Sequence, residues 1–181
     1  MTRVERLLSQ YAAYHLDRKN VMTHFIGVPL IVFSIICLTA RVSLMMSGFE
    51  VTLALGLLIV SILYYLTIDV FFALIMAFIF MFVYPYAYNV AQWDTGTWLS
   101  TSVGIFAIGW AFQFVGHFYE KKKPAFMDDL IGLAIGPLFV LAELIFLFGF
   151  RKELEAKMLL EERKQRLLME QDTPYAEIAA D

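Results

Sequence analysis

The chain has few charged residues and almost no cysteine for its length. Only 17% of its 181 residues are charged and 60% are hydrophobic, whereas charged residues make up about a quarter of a soluble domain. This deficit excludes an ordinary soluble protein, and nothing in the sequence indicates nucleic acid as a partner. The single cysteine, Cys37, lies in an apolar run and cannot form a disulfide within the chain, so we assign it to packing. The composition predicts an integral membrane protein.

The apolar residues come in five runs separated by short polar links. In a bilayer only helices or closed barrels satisfy the backbone, and a crossing helix needs roughly 17 to 25 apolar residues. The runs lack the two-residue alternation of barrel strands. We therefore predict an all-α, polytopic membrane bundle of four to five apolar segments, at about 25–40, 51–66, 70–88, 99–119 and 130–150.

Polar residues gather at the two ends of the chain. Residues 3–16 have apolar residues and tyrosines at helical spacing, which predicts an amphipathic helix on the membrane interface. After residue 150 the chain is rich in Glu, Lys and Arg, with opposite charges four residues apart, as in a solvated helix. We predict one membrane-embedded catalytic domain over 1–150 and a charged cytoplasmic helical tail over 151–181, disordered from Gln171.

The three histidines all lie near the ends of apolar runs. His15 and His24 precede the first run, and His117 ends the fourth. On one continuous helix, nine residues at about 100° each would turn His15 and His24 to opposite faces, so the polar stretch 17–20 must bend the chain, with Asn20 or Thr23 capping the next helix. The amino terminus and the segment Lys121–Lys123 are both basic, which predicts that each lies in the cytoplasm. Four crossings separate them. The topology therefore predicts the three histidines on one cytoplasmic face.

The last apolar run leaves two topologies open. A full fifth crossing would place the basic tail outside, against the positive-inside rule. Alternatively, Gly136 and Pro137 break the run into a re-entrant pair that returns the tail to the cytoplasm.

Three imidazoles and a nearby carboxylate make a ligand set for a metal ion. Histidines with a carboxylate and open positions are typical of non-haem Fe(II) oxygenases. Glu120 lies one turn after His117 and is either part of this set or a residue that orients a histidine. Zinc is an alternative, and so is a plain role for each histidine in hydrogen bonding at the interface. Three histidines are too few for a di-iron desaturase.

Further polar residues have a functional and a structural interpretation. Asn20 and Gln113 can bond substrate oxygens or satisfy helix ends, and Lys121 can attract a carboxylate or simply mark the topology. Glu143 lies inside an apolar run. A charged residue is costly there, so its presence suggests a function. Asp69 is better explained as a helix cap.

A longer pattern resembles the 2-hydroxy-fatty-acid dioxygenase family of small membrane proteins, over residues of about 10 to 150. The pattern consists of Tyr14-His15, Asn20, His24, Gly27 and Pro29, then Gln113, Gly116-His117, Glu120 and Pro124-Ala125. The resemblance implies an Fe(II)-dependent dioxygenase that uses O2 to shorten 2-hydroxy fatty acids by one carbon, in eukaryotic members at the endoplasmic reticulum. It also implies that His15, His24 and His117 bind the iron.

The predicted function is therefore α-oxidation of 2-hydroxy fatty acids by a membrane enzyme. The predicted catalytic residues are the three histidines and Glu120, with Asn20, Gln113 and Lys121 binding substrate. Two alternatives are a zinc-dependent membrane lipid hydrolase and a non-enzymatic lipid-binding or scaffold protein. A compact chain without a targeting segment favours a bacterial inner membrane over the endoplasmic reticulum.

Overall fold

A computed structural model describes residues 1–46, 48–121 and 131–171. The described chain is helical apart from one short hairpin, which confirms the all-α prediction. In order, the elements are α1 Arg3–Ala12, α2 Arg18–Ala40, β1 Ser43–Met46, β2 Phe49–Thr52, α3 Leu53–Leu66, α4 Val70–Ala91, α5 Thr95–Glu120, α6 Ile131–Leu147 and α7 Lys152–Gln171. The predictions for Lys122, Lys123, Pro124 and Ala125, and for disorder after Gln171, lie outside the described residues.

Three helices, α2, α4 and α5, are long and apolar enough to cross a membrane. The other two apolar helices, α3 and α6, have 14 and 17 residues, fewer than the about 20 that a crossing helix usually needs. The five predicted apolar segments thus correspond to three long helices and two shorter ones, an arrangement compatible with a membrane protein.

The link between α2 and α3 is a β-hairpin, which the sequence analysis did not predict. Its strands pair antiparallel, with Ser43 opposite Thr52. The predicted segment 51–66 therefore begins in a strand, and its helix starts only at Leu53. Thr52 ends the strand and caps α3, since its hydroxyl accepts a hydrogen bond from the Leu55 amide at 3.1 Å.

The bend before α2 exists, but it lies earlier in the chain than predicted. The helix α1 ends at Ala12, so residues 13–17 form the bend and His15 lies in its middle. The cap of α2 is Asp17, whose carboxylate accepts a hydrogen bond from the Lys19 amide at 2.7 Å. The prediction that Asn20 or Thr23 caps this helix is therefore wrong.

Glycines allow α2 and α5 to pack closely. A Cβ atom on Gly27 would lie 2.7 Å from the carbonyl oxygen of Gly109, and one on Gly109 would lie 3.1 Å from the Ile31 amide nitrogen. A Cβ on Gly116 would collide with the side chains of Asn20 and Thr23. Because these neighbours include backbone atoms, the two helices can approach this closely only with glycine at these positions.

Glu120, which precedes the α6 region, and Arg151, which follows it, lie at the same end of the bundle. Glu120, the last residue of α5, bonds to the Asp17 amide at the start of α2. Beyond α6, Arg151 forms an ion pair of 2.7 Å with Asp69, the cap of α4. This arrangement fits the re-entrant alternative rather than a fifth crossing. The expected break at Gly136 and Pro137 is absent, because α6 is continuous through both residues.

The helix α7 packs against α1 and is not a freely solvated tail. Leu154 and Met158 are buried in the common core. The predicted pair of Glu153 and Lys157 is confirmed at 2.9 Å, and the same lysine reaches Glu5 of α1 at 3.3 Å. The tail therefore contacts the predicted 1–150 domain along one face.

Candidate metal centre

Three separate elements bring the histidines together. His15 comes from the bend, His24 from the second turn of α2 and His117 from the last turn of α5. All three side chains are buried, and one ligand nitrogen of each lies within 4.8 Å of the others. The common face that the topology predicts is therefore a compact cluster in the structure.

The distances within the cluster fit one bound ion. The Nε2 atoms of His15 and His24 are 3.1 Å apart. Two imidazole nitrogens that each lie 2.0 to 2.1 Å from one metal ion are about 3 Å apart. The ring of His117 faces both others, with centroids 5.0 Å from His15 and 5.2 Å from His24.

The hydrogen bonds of the outer ring nitrogens point to a cation between His15 and His24. His15 Nδ1 lies 2.7 Å from the Tyr11 carbonyl oxygen, and His24 Nδ1 lies 2.9 Å from the Asn20 carbonyl oxygen. A carbonyl only accepts, so both Nδ1 atoms carry the proton and both Nε2 atoms of the neutral rings are left with lone pairs. Two lone pairs 3.1 Å apart repel unless a cation lies between them.

A metal ion suits this position better than a proton. Burial of His15, together with neighbouring His24, holds its pKa well below its ordinary value, although the Tyr11 carbonyl partly offsets this. The ring is therefore neutral at physiological pH, as a metal ligand must be. Backbone carbonyls that fix the Nδ1 protons are a common way to orient histidine ligands.

Tyr11 is part of the site, and the sequence analysis did not identify it. Its ring stacks on His15 with centroids 4.3 Å apart and planes inclined by 10°, while its carbonyl orients the same imidazole. The only signal in the sequence is its position four residues before His15, which has meaning only once α1 and the bend are known.

Glu120 lies beside the cluster and bonds to the chain that supports it. Its Oε2 accepts hydrogen bonds from the Asp17 amide at 2.7 Å and from Asn20 Nδ2 at 3.2 Å, and its Oε1 pairs with Arg166 at 2.8 Å. Among the described residues, the group with metal-binding geometry contains the three histidines and no carboxylate. Of its two predicted roles, these contacts favour orienting a ligand over binding the metal.

The two predicted amide residues lie near the histidines. Gln113 is buried beside His117, and its Nε2 has no hydrogen-bond partner among the described residues. The side chain of Asn20 is buried, and its Nδ2 bonds to Glu120 and to the Tyr14 carbonyl. Gln113 can therefore donate to a ligand, whereas Asn20 is already engaged in holding the bend.

Lys121 and Glu143 lie further from the histidines. Lys121 directly follows α5, in a left-handed conformation with its side chain exposed. It is not among the described residues that line the two cavities of the next paragraph. Glu143 lines one of these cavities, facing Glu162 of α7.

Two cavities meet the histidine cluster from different sides. The first, of about 260 Å³, begins at His24 and His117 and continues between α2, α5 and α6 as an apolar groove. It is lined by Tyr11, Val28, Ile31, Val32, Ile35, Phe106, Trp110, Gln113, Gly132, Leu133, Gly136 and Pro137 as well as the two histidines. The second, of about 560 Å³, lies on the His15 side, where α7 closes it with Leu159 and Glu162. A ligand with a polar head and an apolar chain fits the first cavity, head toward the histidines.

The fold and the site together define a bundle of apolar helices with a buried cluster of three histidines at one end that could hold a metal ion. Comparison with known proteins gives the family. Residues 1–148 match the family described as "2-hydroxy-palmitic acid dioxygenase Mpo1-like". The chain is 34% identical over 155 residues to the 2-hydroxy-palmitic acid dioxygenase MPO1 of Saccharomyces cerevisiae, which covers 83% of this chain and 84% of the relative. No solved structure matches the chain. The chain belongs to the Mpo1-like family, which confirms the resemblance found in the sequence.

Proposed function

We propose that the protein is an Fe(II)-dependent dioxygenase that converts 2-hydroxy fatty acids to fatty acids one carbon shorter. The observation that carries this proposal is the pair of Nε2 lone pairs of His15 and His24, which face each other at 3.1 Å and require a cation. Membership of the Mpo1-like family supports the choice of reaction.

The proposed reaction balances without an added reductant. One 2-hydroxy acid and one O2 give one shorter fatty acid, one CO2 and one water. The bond between C1 and C2 breaks, C2 becomes the new carboxyl carbon, and C1 leaves as CO2. The substrate supplies all four electrons that reduce O2, so no nicotinamide or flavin partner is needed.

The residues of the site have separate tasks in this proposal. His15, His24 and His117 would hold the iron, which would supply activation of O2 and a binding position for the carboxylate and hydroxyl of the substrate. Gln113 donates a hydrogen bond to a substrate oxygen from its place beside His117. Burial of all three histidines keeps bulk water from the reacting carbons.

The apolar groove receives the alkyl chain. It follows the face of α2 from His24 to Ile35, a distance of about 16 Å at 1.5 Å per residue. Its walls are almost entirely aliphatic and aromatic, which favours an extended hydrocarbon chain over a polar substrate.

The site is placed on the cytoplasmic face in this proposal. Arg3, Lys19 and Arg151 lie at the histidine end of the bundle, together with the charged helix α7, whereas Arg41 lies at the opposite end, bonded to the Trp93 carbonyl. Positive residues mark the cytoplasmic side. A bacterial inner membrane remains the expectation from the sequence, while the relative named above comes from a yeast.

The reaction is tested with purified protein, Fe(II), O2 and 2-hydroxypalmitate. We expect pentadecanoate, with one O2 consumed for each product. No product from protein that has been shown to hold iron would reject the dioxygenase. Hydrolysis of a lipid ester without O2 would instead favour the zinc-dependent hydrolase, which the three-histidine ligand set also fits.

Elemental analysis tests the metal centre itself. We expect about one metal ion per wild-type chain and much less in His117→Ala, because one of three ligands is lost. Wild-type protein that carries no stoichiometric metal after reconstitution would support the lipid-binding or scaffold alternative.

A further inference from the structure

Arg166 of α7 reaches into the bend that carries His15. Its Nη1 donates to the carbonyl oxygen of Ala13 at 2.9 Å and to Glu120 Oε1 at 2.8 Å. The Glu120 side chain is only 2% exposed and that of Arg166 only 16%. This pair is therefore screened from water far more than an ordinary surface ion pair.

The same Glu120 carboxylate holds the other end of the bend. Its Oε2 accepts from the Asp17 amide and from Asn20 Nδ2, so Arg166 and Glu120 together fasten Ala13, Asp17 and Asn20. Asn20 in turn provides the carbonyl that orients His24. The two ligand-bearing segments of the chain are thus tied to one buried carboxylate.

Glu120 needs a cation to remain in this position as a charged group. A buried carboxylate that loses its partner is destabilised strongly, because its desolvation is no longer compensated. Without Arg166, the Glu120 side chain would turn toward water, and this would weaken its hold on residues 13–20.

We propose that Arg166 of α7 is a positioning residue of the metal centre, which acts through Glu120 to hold the bend that places His15 beside His24. The match to the family ends at residue 148, so this residue lies beyond the region that defines the family. The proposal rests on the proposed metal site but not on the reaction.

Metal affinity of full-length Arg166→Gln tests the proposal. With Co(II) as a spectroscopic probe, we expect the Kd to rise roughly ten- to a hundredfold, as for loss of other residues that orient metal ligands. We also expect the visible Co(II) absorption to change, since the bend that places His15 beside His24 is no longer held by Arg166 and Glu120. Arg166→Lys keeps the charge and should recover much of the affinity.

Lys164→Gln is the matched control, because Lys164 lies on the same helix with a 69% exposed side chain, and its ion pair of 3.7 Å is with Glu161 of the same helix. It should leave both the Kd and the Co(II) spectrum unchanged. A lower melting temperature for Arg166→Gln with the Kd and spectrum of the wild type would overturn the proposal, because α7 would then contribute stability alone.

A double-mutant cycle tests whether Arg166 acts through Glu120, and Arg166→Lys, which keeps the charge, covers the case in which Arg166→Gln folds poorly. If Arg166 acts through Glu120, Glu120→Gln and Arg166→Gln should have strongly non-additive effects on the Kd. Additive effects would reject the coupling. Wild-type protein that binds no Co(II) would reject the metal site, whereas binding without oxidation of 2-hydroxypalmitate would reject only the reaction.

Discussion

At the scale of single residues, the site depends on how the histidine rings are oriented rather than on their presence alone. The carbonyl of Tyr11 fixes one Nδ1 proton and that of Asn20 fixes another. Both carbonyls belong to helical residues four positions before their histidine. Ordinary helix geometry therefore supplies the orientation of His24 on α2. The bend after α1 brings His15 to the Tyr11 carbonyl, and Tyr11 adds a stacked ring that limits rotation of His15.

Replacement of Tyr11 by leucine should weaken metal binding. The stacking contact with His15 is lost, and aromatic contacts of this kind contribute about 0.5 to 1.5 kcal/mol, so we expect the Kd to rise by roughly two- to tenfold. Tyr11→Phe retains the ring and should bind metal as the wild type does. Co(II) titration of the two variants side by side measures the difference, and equal Kd values would show that the stack has no part in orienting His15.

Glu162 should make stability depend on pH. Burial, and then Glu143 opposite, raises its pKa to about 7, with Arg163 acting in the other direction. Between pH 4.5 and about 7 the unfolded chain has lost this proton while the folded chain keeps it, so stability falls as the pH rises through this interval and is constant above it.

The expected result for Glu162→Gln is a melting temperature close to the wild type at pH 4.5 and higher than the wild type at pH 8. Thermal unfolding in detergent at both values measures this. Glu153→Gln is the control, because the Glu153 side chain is 85% exposed. It should show no comparable gain in melting temperature at pH 8. An equal shift of Glu162→Gln at both pH values would contradict the raised pKa.

The sequence identified the three histidines but not all of their supports. Histidines are scarce and each lies at the end of an apolar run, so the positive-inside rule was enough to place them on one face. Arg166 could not be recognised in the same way, because its partner Glu120 is separated from it by 46 positions and by α6. A surface helix with five basic residues, two of them arginines, gives no signal for the one that points inward.

At the scale of elements, the close contact of α2 and α5 sets the height of His24 relative to His117. Gly27 and Gly109 face each other across this contact, where even a methyl group would meet backbone atoms. Gly27 and Gly116 belong to the pattern quoted from the sequence, and the structure adds Gly109 to this contact.

Gly27→Ala should disturb the metal centre through this contact. Overpacking of this kind costs about 1 to 3 kcal/mol, and moving α2 away from α5 separates His24 from His117. We expect a lower melting temperature and a lower metal content per chain. Gly104→Ala lies on α5 with nothing within 4 Å of its new Cβ, and it should match the wild type in both measurements. Full metal content in Gly27→Ala would show that the site tolerates a wider helix spacing.

Helix boundaries were predictable where a capping residue stands directly before an apolar run. Asp69 immediately precedes the run that begins at Val70, and it does cap α4. Before α2, Asp17, Asn20 and Thr23 are all competent caps, and the choice depends on Glu120, which binds the Asp17 amide and Asn20 from another helix. The hairpin at 43–52 was missed because two β-branched residues, Val51 and Thr52, join directly to an apolar helix and extend its hydrophobic run.

At the scale of the whole molecule, the bundle places a polar site at one end and an apolar groove along its length. Charged residues and α7 gather at the histidine end, while the groove runs along α2 away from it. This polarity matches an amphipathic substrate that approaches from a membrane. It also means that chain length can be selected at the far end of the groove without any change at the histidines.

Ile35 lies at that far end. There the groove meets a third cavity, distinct from the one beside His15 and lined by Ile36, Thr39 and Leu57 among others. Phenylalanine at this position should shorten the groove and exclude the end of a long alkyl chain. Because each methylene kept from apolar contact costs about 0.8 kcal/mol, we expect the ratio of kcat/KM for 2-hydroxypalmitate to that for 2-hydroxylaurate to fall at least roughly tenfold. Metal content should stay at the wild-type level.

Val60→Phe is the matched control for Ile35→Phe, because it adds the same ring to a 63% exposed position on α3. It should leave the chain-length ratio unchanged. A ratio that falls equally in both variants would indicate a general effect of bulk on the bundle. An unchanged ratio in Ile35→Phe, with normal activity on both substrates, would show that the alkyl chain leaves the histidines by another route, for which the larger cavity beside His15 and Glu143 is the next candidate.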